Sequence, residues 1–174
     1  MERNKIVKVD IFDNEIGEIE KMEAHLTPVL HRAFSVYIVN DKGEMLIQKR
    51  AEHKYHSASL WANACCSHPR SGENIIESAK ERMVDEIGIN TELKELFSFT
   101  YLSKYSDNLY EYEVDHVLLG KYTGKIILNK EEASEFRWVD MNALAKELLN
   151  EPQKFATWFV ISAPKVISLL KINK

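Results

Sequence analysis

The residues of this chain that best suit a metal ion are three histidines and two alternating glutamates. His25 and His31 bracket a predicted loop, and His68 follows a pair of cysteines. Glu111 and Glu113 alternate along a predicted strand, so both carboxylates face the same side. Imidazoles combined with carboxylates suit a borderline divalent cation. The competing interpretation is that these histidines are unrelated surface or core residues.

The adjacent cysteines Cys65 and Cys66 suggest a different chemistry. Neighbouring side chains of an extended strand point to opposite faces, so we expect no disulfide between them. One thiol would face a core and the other a cleft, which suits a reducing, cytoplasmic compartment. A cysteine near His68 is a candidate nucleophile or acid–base group. The alternative is that the thiols are small buried apolar side chains.

The elements that would position these residues are a mixture of strands and helices. Strands are predicted at residues 6–12, 33–39, 45–49, 60–66, 96–101, 110–119 and 136–139, and helices at 73–87, 141–149 and from 152 onward. Apolar residues recur every four positions in the helix 73–87, and Gly88 supplies its stop. Pro164 is expected to kink or restart the last helix, with Ser162 as a cap. This mixture in 174 residues predicts a single α/β sandwich domain spanning 1–174.

Composition excludes several classes of protein. The 45% hydrophobic and 29% charged residues are typical of a globular domain, and 6 Gly with 4 Pro argue against collagenous or disordered chains. A net charge of -4 gives no footprint for non-specific nucleic-acid binding. No stretch approaches the roughly 18 apolar residues of a spanning helix, and the N-terminus lacks a signal-peptide pattern. We therefore expect neither a nucleic acid nor a membrane as partner.

The segment from residue 67 to residue 89 resembles a Nudix box. That pattern reads Gly, five residues, Glu, seven residues, Arg-Glu, apolar, any, Glu-Glu, any, Gly, apolar. Here Glu73, Glu86 and Gly88 match, whereas Ser67 replaces the first glycine and Glu-Arg stands at 81–82 in place of Arg-Glu. The reversal removes a glutamate that binds metal in Nudix hydrolases. The resemblance thus implies the Nudix fold, an α/β/α sandwich with a mixed sheet, without the hydrolytic metal site. The alternative for the helix alone is an ordinary solvated face.

Several motifs in order along the chain together resemble the type I isopentenyl-diphosphate isomerases, a family of Nudix-fold enzymes of isoprenoid synthesis. The residues that carry the resemblance are the stretches 24–25, 31–35, 49–51, 61–69, 110–115 and 157–159. The similarity extends from about residue 6 to residue 170. It implies conversion of isopentenyl diphosphate to dimethylallyl diphosphate by protonation and deprotonation through a carbocation-like intermediate.

The resemblance also implies roles for individual residues. A divalent ion such as Mn²⁺, Mg²⁺ or Zn²⁺ would be bound by His25, His31, His68, Glu111 and Glu113. Catalytic roles fall on Cys66, Glu113, Tyr101 and Trp158. The diphosphate would be bound by Lys21, Arg50, Lys54 and Arg82, and a second ion, Mg²⁺, by Glu86.

In this scheme Glu113, assisted by Tyr101, is the candidate acid and the Cys66 thiolate is the candidate base, with the reverse assignment open. Trp158 would stabilise the cationic intermediate by a cation–π interaction. Without the resemblance, Arg82 would be read as an exposed ion pair with Glu86. With it, Arg82 holds the diphosphate.

Two other functions compete with this interpretation. A Nudix diphosphohydrolase acting on a nucleoside diphosphate derivative would need the Arg-Glu pair and would not need Cys66. A non-catalytic sensing module would have no reason to combine Cys66, Glu113, Tyr101 and Trp158. We expect a monomer or weak dimer with a small isoprenyl diphosphate as substrate.

Overall fold

The computed structural model describes residues 4–172, which form a curled mixed β-sheet with helices on both sides. The strands are β1 (Lys5–Val9), β2 (Glu15–Glu20), β3 (His31–Val39), β4 (Glu44–Arg50), β5 (Trp61–Ala62), β6 (Cys65–Ser67), β7 (Leu93–Ser106), β8 (Leu109–Lys121) and β9 (Ala133–Asp140). The helices are α1 (Lys21–Leu26), α2 (Ile75–Ile87), α3 (Met141–Asn150) and α4 (Thr157–Ile172), and a short 3-10 helix (Pro152–Lys154) precedes α4.

Strand β3 organises the sheet and fixes which residues can meet. It runs parallel to β8, with His31 beside Glu113, and antiparallel to β6, with Ser35 beside Cys66. Among the described residues the other strand pairings are antiparallel. Side chains that are opposite in register share a face of the sheet. The pairing therefore places His31, Glu113, Ser35 and Cys66 on one face.

Two cores lie on opposite faces of the sheet. Phe34 and Val36 of β3 pack with Cys65 against α2, whereas Tyr37 packs with Phe159 of α4. This alternation follows the twofold period of a strand. It produces helices on both faces of a mixed sheet, and the predicted α/β/α sandwich is confirmed.

Helix α2 starts and stops through local chemistry. The Asn74 side chain accepts hydrogen bonds from the backbone N–H groups of Ile76 and Glu77, which satisfies donors at the first turn. At the other end Gly88 has φ 69° and closes the helix in the left-handed conformation. A side chain at residue 88 would also approach Ile127 within 2.9 Å. The predicted helix and its stop are confirmed, with a start two residues later than predicted.

Three local predictions are wrong, and each error has a physical cause. The first strand ends at Val9 rather than residue 12, because the Asp10 carboxylate accepts hydrogen bonds from Phe12 N and Asn14 N in a turn. The predicted strand 60–66 is divided into β5 and β6. Helix α4 continues through Pro164, so Ser162 caps nothing: its hydroxyl donates to the Trp158 carbonyl at 2.7 Å.

Strand β2 and helix α1 were not predicted, although α1 carries Lys21 and His25. Within the described part of the chain, no helix combines the length and the apolar character that crossing a bilayer requires.

Candidate active site

One cavity collects most of the predicted site residues. It lies beside the β3–β8 pair and is bordered by α1, the loop of residues 51–60, β6, α2 and the start of α4. Its lining includes Lys21, Arg50, Lys54, Cys66, His68, Arg82, Glu86, Glu111, Glu113 and Trp158. Three further predicted residues contact this lining from the protein interior. They are His25 and His31, which are fully buried, and Tyr101, which is nearly buried.

A group of three imidazoles and one carboxylate has the composition of a metal site. One donor atom each from His25, His31, His68 and Glu113 lies within 4.8 Å of the others. Helix α1 supplies His25, the start of β3 supplies His31, and the end of β6 leads to His68. Nitrogen donors with a carboxylate suit a borderline divalent ion. Four of the five predicted ligands thus converge on one position.

Backbone carbonyls orient two of these imidazoles. His25 Nδ1 lies 2.6 Å from the Lys21 carbonyl oxygen, and His31 Nδ1 lies 2.8 Å from that of Val29. A carbonyl only accepts, so Nδ1 carries the proton in both rings and Nε2 presents a lone pair. His31 Nε2 is buried and makes no well-aligned hydrogen bond among the described residues, with Glu113 Oε1 at 3.3 Å. Histidines that bind metal ions commonly donate their other ring N–H to a carbonyl in this way.

The charges within the group favour a bound cation. Burial lowers the pKa of His25, and it lowers the pKa of His68 to about 3, so these rings are neutral at physiological pH. Burial also opposes ionisation of Glu113, but contacts with His31 and His68 outweigh it and hold the Glu113 pKa well below its usual range. Burial disfavours a proton on His31, yet the Glu113 carboxylate prevails and raises the His31 pKa. A proton on His31 therefore competes with a metal ion.

Glu111, the fifth predicted ligand, belongs to a second, overlapping group with His25 and His56. His56 Nε2 lies 3.2 Å from Glu111 Oε1. His56 was not predicted as a site residue, because one histidine in a loop carries no periodic signal.

Tyr101 joins the two glutamates. Its hydroxyl lies 2.7 Å from Glu113 Oε2 and 2.8 Å from Glu111 Oε2, in a buried position. Burial raises the Tyr101 pKa well above its usual range, so the hydroxyl keeps its proton. One hydroxyl proton serves two acceptors, and the predicted contact between Tyr101 and Glu113 is present. The pairing of Tyr101 with Glu113 in the β7–β8 register produces it.

The two cysteines have different surroundings. Cys65 is fully buried against α2, and Cys66 lines the cavity; both are free thiols. The opposite orientations predicted from strand geometry are confirmed. Burial raises the pKa of the Cys66 thiol, and the Arg50 guanidinium only partly offsets this. Cys66 is therefore a thiol in the resting protein, which argues against the expectation that it is a thiolate base.

Trp158 is fixed at the start of α4 by a buried asparagine. The indole Nε1 donates to Asn63 Oδ1 at 2.9 Å, while Asn63 Nδ2 donates to the Val36 and Cys65 carbonyls. The Arg50 guanidinium carbon lies 5.1 Å from the Trp158 ring centroid. Asn63 stands in the stretch that carried the family resemblance, but its role was not predicted. It ties the indole to the backbone beside Cys66.

Cationic side chains gather at the other end of the cavity. Arg82 pairs with Glu86 and lies 3.4 Å from Glu132, which also pairs with Lys54. Arg50 Nε and Arg82 Nε are buried donors without a hydrogen-bond partner among residues 4–172. Arg82 thus makes the ion pair with Glu86 and also lines the cavity. Glu132 was not predicted as a site residue, because it lies outside any predicted element.

Burial and the nearby Lys54 lower the pKa of Lys21, while Glu113 and Glu132 act in the opposite direction. The repulsion between Lys21 and Lys54 indicates an excess of positive charge at this end of the cavity. An anion with several oxygens would complement these donors.

Comparisons with known proteins agree with this architecture. The profile of the NUDIX domain matches residues 29–159. An isopentenyl-diphosphate Delta-isomerase 2 of Aromatoleum aromaticum is 38% identical over 170 residues, which cover 98% of this chain and 90% of the relative. A protein of the same name from Photorhabdus laumondii is 43% identical, with 88% and 87% covered.

Solved structures agree at the level of the fold. DR0079 from Deinococcus radiodurans superimposes with a TM-score of 0.74 at 18% identity, covering 92% of this chain and 98% of that one. A MutT protein from Methanosarcina mazei gives a TM-score of 0.65 at 19% identity, with 78% and 91% covered. From the matched domain and these relatives, the chain belongs to the Nudix superfamily and, within it, to the isopentenyl-diphosphate delta-isomerase family.

Proposed function

We propose that this protein converts isopentenyl diphosphate to dimethylallyl diphosphate, with the two proton transfers carried by Cys66 and Glu113. The observation that carries the proposal is a single cavity lined at once by these two groups, by Trp158 and by a cluster of cationic side chains. The names of the relatives support the same reaction.

The cationic end of the cavity binds the diphosphate. Arg50 and Arg82 each bring a buried Nε–H donor that has no hydrogen-bond partner among residues 4–172. Charge-assisted hydrogen bonds to phosphate oxygens are among the stronger polar contacts in proteins. Lys21 and Lys54 add positive charge from the lining. Glu86 would hold a Mg²⁺ ion that also contacts the diphosphate.

The reversed pair at 81–82 supports retention of the diphosphate rather than its cleavage. Where a hydrolase would present a metal-binding glutamate, Arg82 presents a guanidinium that already pairs with Glu86. The hydrolase alternative therefore lacks a carboxylate that it needs, and the isomerase gains a donor.

At the other end, a divalent ion would be held by His25, His31, His68 and Glu113, with Glu111 adjacent. The donor set fits such an ion because two ring orientations are already fixed and, within the described part of the chain, His31 Nε2 has no well-aligned hydrogen-bond partner. When bound, the ion supplies positive charge that favours the ionised form of Glu113. Mn²⁺, Mg²⁺ and Zn²⁺ are the candidates.

Cys66 and Glu113 are separated along the sheet. Their register partners on β3, Ser35 and His31, are four residues apart, which corresponds to about 13 Å of strand. A substrate between them gains a proton at its terminal methylene carbon from one group and loses a proton from the carbon next to the double bond to the other. Tyr101 keeps a hydroxyl proton in contact with Glu113.

Trp158 stabilises the positive charge that develops between the two transfers. Its ring is held by Asn63 and already accommodates the Arg50 guanidinium at 5.1 Å. A cation over an indole in a desolvated site gains about 2 kcal/mol. The remaining stabilisation comes from exclusion of water and from the preorganised charges of the cavity. We further propose that this reaction takes place in the cytoplasm, because free thiols are typical of a reducing compartment.

The experiment is to incubate the purified protein with isopentenyl diphosphate and Mg²⁺ and to measure acid-labile allylic product. The same incubations are assayed for released phosphate, and parallel ones with nucleoside diphosphate derivatives are assayed for nucleotide release. The proposal expects allylic product without cleavage. Robust nucleotide cleavage with no isomer would support the hydrolase instead.

A further inference from the structure

Glu111 is surrounded by more hydrogen-bond donors than a ligand carboxylate needs. Its Oε2 accepts from Tyr101 at 2.8 Å and from Tyr105 at 2.7 Å. Its Oε1 lies 3.2 Å from His56 Nε2. The carboxylate is buried, with the Glu111 residue 5% exposed. Both oxygens of Glu111 are therefore fixed in place.

The His56 ring faces Glu111, with Nε2 3.2 Å from Oε1. Its Nδ1 lies 3.3 Å from the Ser57 hydroxyl, which can donate to it. With Nδ1 as acceptor, the proton is on Nε2, which is the ring nitrogen next to the Glu111 carboxylate. His56 is grouped with His25 and Glu111 and not with His31, His68 and Glu113. It lies beside the three-imidazole group rather than in it.

The His56 and Tyr105 rings support each other. Their centroids are 4.6 Å apart and the planes differ by 13°, so the two donors approach Glu111 as a stacked pair. The Trp158 ring meets His56 edge-on at 5.9 Å, and Tyr55 does so at 4.6 Å. This packing leaves His56 7% exposed although it lies in a loop.

We propose that His56 and Tyr105 are positioning residues that hold the Glu111 carboxylate beside the group of three imidazoles and Glu113. Glu111 reaches that group by two routes: its own donor atom lies close to His25, and it shares the Tyr101 hydroxyl with Glu113. If Glu111 rotated, the Tyr101 proton would move wholly to Glu113 and the ligand set would loosen. The inference deepens the proposed function, since it concerns the same site.

The test measures Mn²⁺ affinity directly, by the electron paramagnetic resonance signal of the free ion in the absence of diphosphate. Loss of a partner that orients a ligand typically weakens metal binding by about 10–100-fold. We expect such losses for Tyr105→Phe, which removes one hydroxyl, and for His56→Phe, which keeps a ring and removes the donor. His56→Gln retains an N–H donor and should recover most of the affinity.

Matched controls are His53→Phe and Tyr110→Phe. The His53 side chain is 59% exposed, and the Tyr110 hydroxyl donates to the Asp107 carbonyl outside the cavity. Both controls should bind Mn²⁺ like the unaltered protein. Native circular dichroism is required of every variant, and Tyr105→Phe, which deletes a single oxygen, guards against misfolding of the histidine variants.

Unchanged Mn²⁺ affinity in both Tyr105→Phe and His56→Phe would overturn the inference. So would a His56→Gln variant as weak as His56→Phe, because the donor would then be irrelevant. Isomer formation by the unaltered protein is measured separately. If that protein binds Mn²⁺ but forms no isomer, the proposed function fails, whereas the positioning role is still decided by the affinities.

Discussion

The two ends of the cavity handle charge in opposite ways. At the His25–His31–His68–Glu113 end, three imidazoles and one carboxylate lie together, and none of these four side chains carries a permanent positive charge. At the cationic end, Arg82 and Lys54 lie close to Glu86 and Glu132, and the lining adds Lys21 and Arg50. The imidazole end is therefore suited to bind a cation, and the cationic end is suited to bind an anion.

The two ends of the cavity should therefore affect different kinetic constants. Groups at the imidazole end and at Cys66 should act on the rate of proton transfer and therefore on kcat. Groups at the cationic end should act on the hold on the diphosphate and therefore on KM. A variant at one end that changes the constant assigned to the other end would contradict this assignment.

Removal of the metal should have the largest effect. Exhaustive treatment with EDTA is expected to abolish isomerisation, and Mg²⁺ or Mn²⁺ should restore it. Metal content and isomer formation are measured on the same samples. Full turnover by a demetallated protein would remove the role assigned to His25, His31, His68, Glu111 and Glu113.

The pH dependence of metal binding follows from His31. The raised His31 pKa means that its proton begins to compete with the ion above pH 6.5, so affinity should fall as the pH decreases from neutrality. The pKa values of His25 and His68 are lowered, so protons on these rings compete with the ion only at lower pH than the proton on His31 does. Mn²⁺ titrations from about pH 8 to pH 5.5 check this, and an affinity independent of pH would contradict it.

Cys66→Ala should lower kcat by roughly 10²–10⁴-fold, which is the usual contribution of a positioned proton-transfer group. Its matched control is Cys65→Ala, which removes the neighbouring thiol from the opposite core. The control should keep its kcat and lose about 1 kcal/mol of unfolding free energy. Equal loss of activity in both variants, with native circular dichroism, would break the assignment.

Arg82→Glu should raise KM by roughly 10–200-fold, because a charge-assisted hydrogen bond contributes about 1.5–3 kcal/mol. The change restores a glutamate at that Nudix position, yet little diphosphohydrolase activity should appear. Lys80→Glu makes the same charge change on α2, where Lys80 pairs with Glu92 outside the cavity, and should leave KM unaltered. A decrease in kcat with an unchanged KM would instead assign Arg82 to the same role as the residues of the imidazole end.

Trp158→Phe should have the smallest effect, a decrease in kcat of about 3–30-fold from a weaker cation–π interaction and a lost hydrogen bond to Asn63. Trp61→Phe is the control, since Trp61 also faces a guanidinium, that of Arg137 at 4.7 Å, but outside the cavity. Similar rates for the two variants would contradict the role of Trp158.

Much of the fold and site could be predicted because the signals were local. The four-residue apolar repeat before Gly88 identified α2, and the alternation of Glu111 and Glu113 placed both on one face of β8. Strand geometry likewise assigned Cys65 and Cys66 to opposite faces.

The remainder depends on tertiary contacts that no local pattern encodes. Helix α1 has six residues and no side-chain cap, so its position rests on packing rather than on propensity. His56 and Glu132 come from loops and reach the site only after the sheet has formed. Ser162 had the residue type of a cap, but its hydroxyl is engaged by the buried Tyr37 at 2.6 Å.

The most direct test of the proposed reaction is one incubation in D₂O, followed by proton and phosphorus nuclear magnetic resonance. The unaltered protein is mixed with isopentenyl diphosphate and Mg²⁺. We predict allylic product with deuterium in a methyl group, from the protonation step, and unchanged diphosphate signals, from the cationic end. Release of inorganic phosphate or diphosphate without an allylic signal would contradict the account.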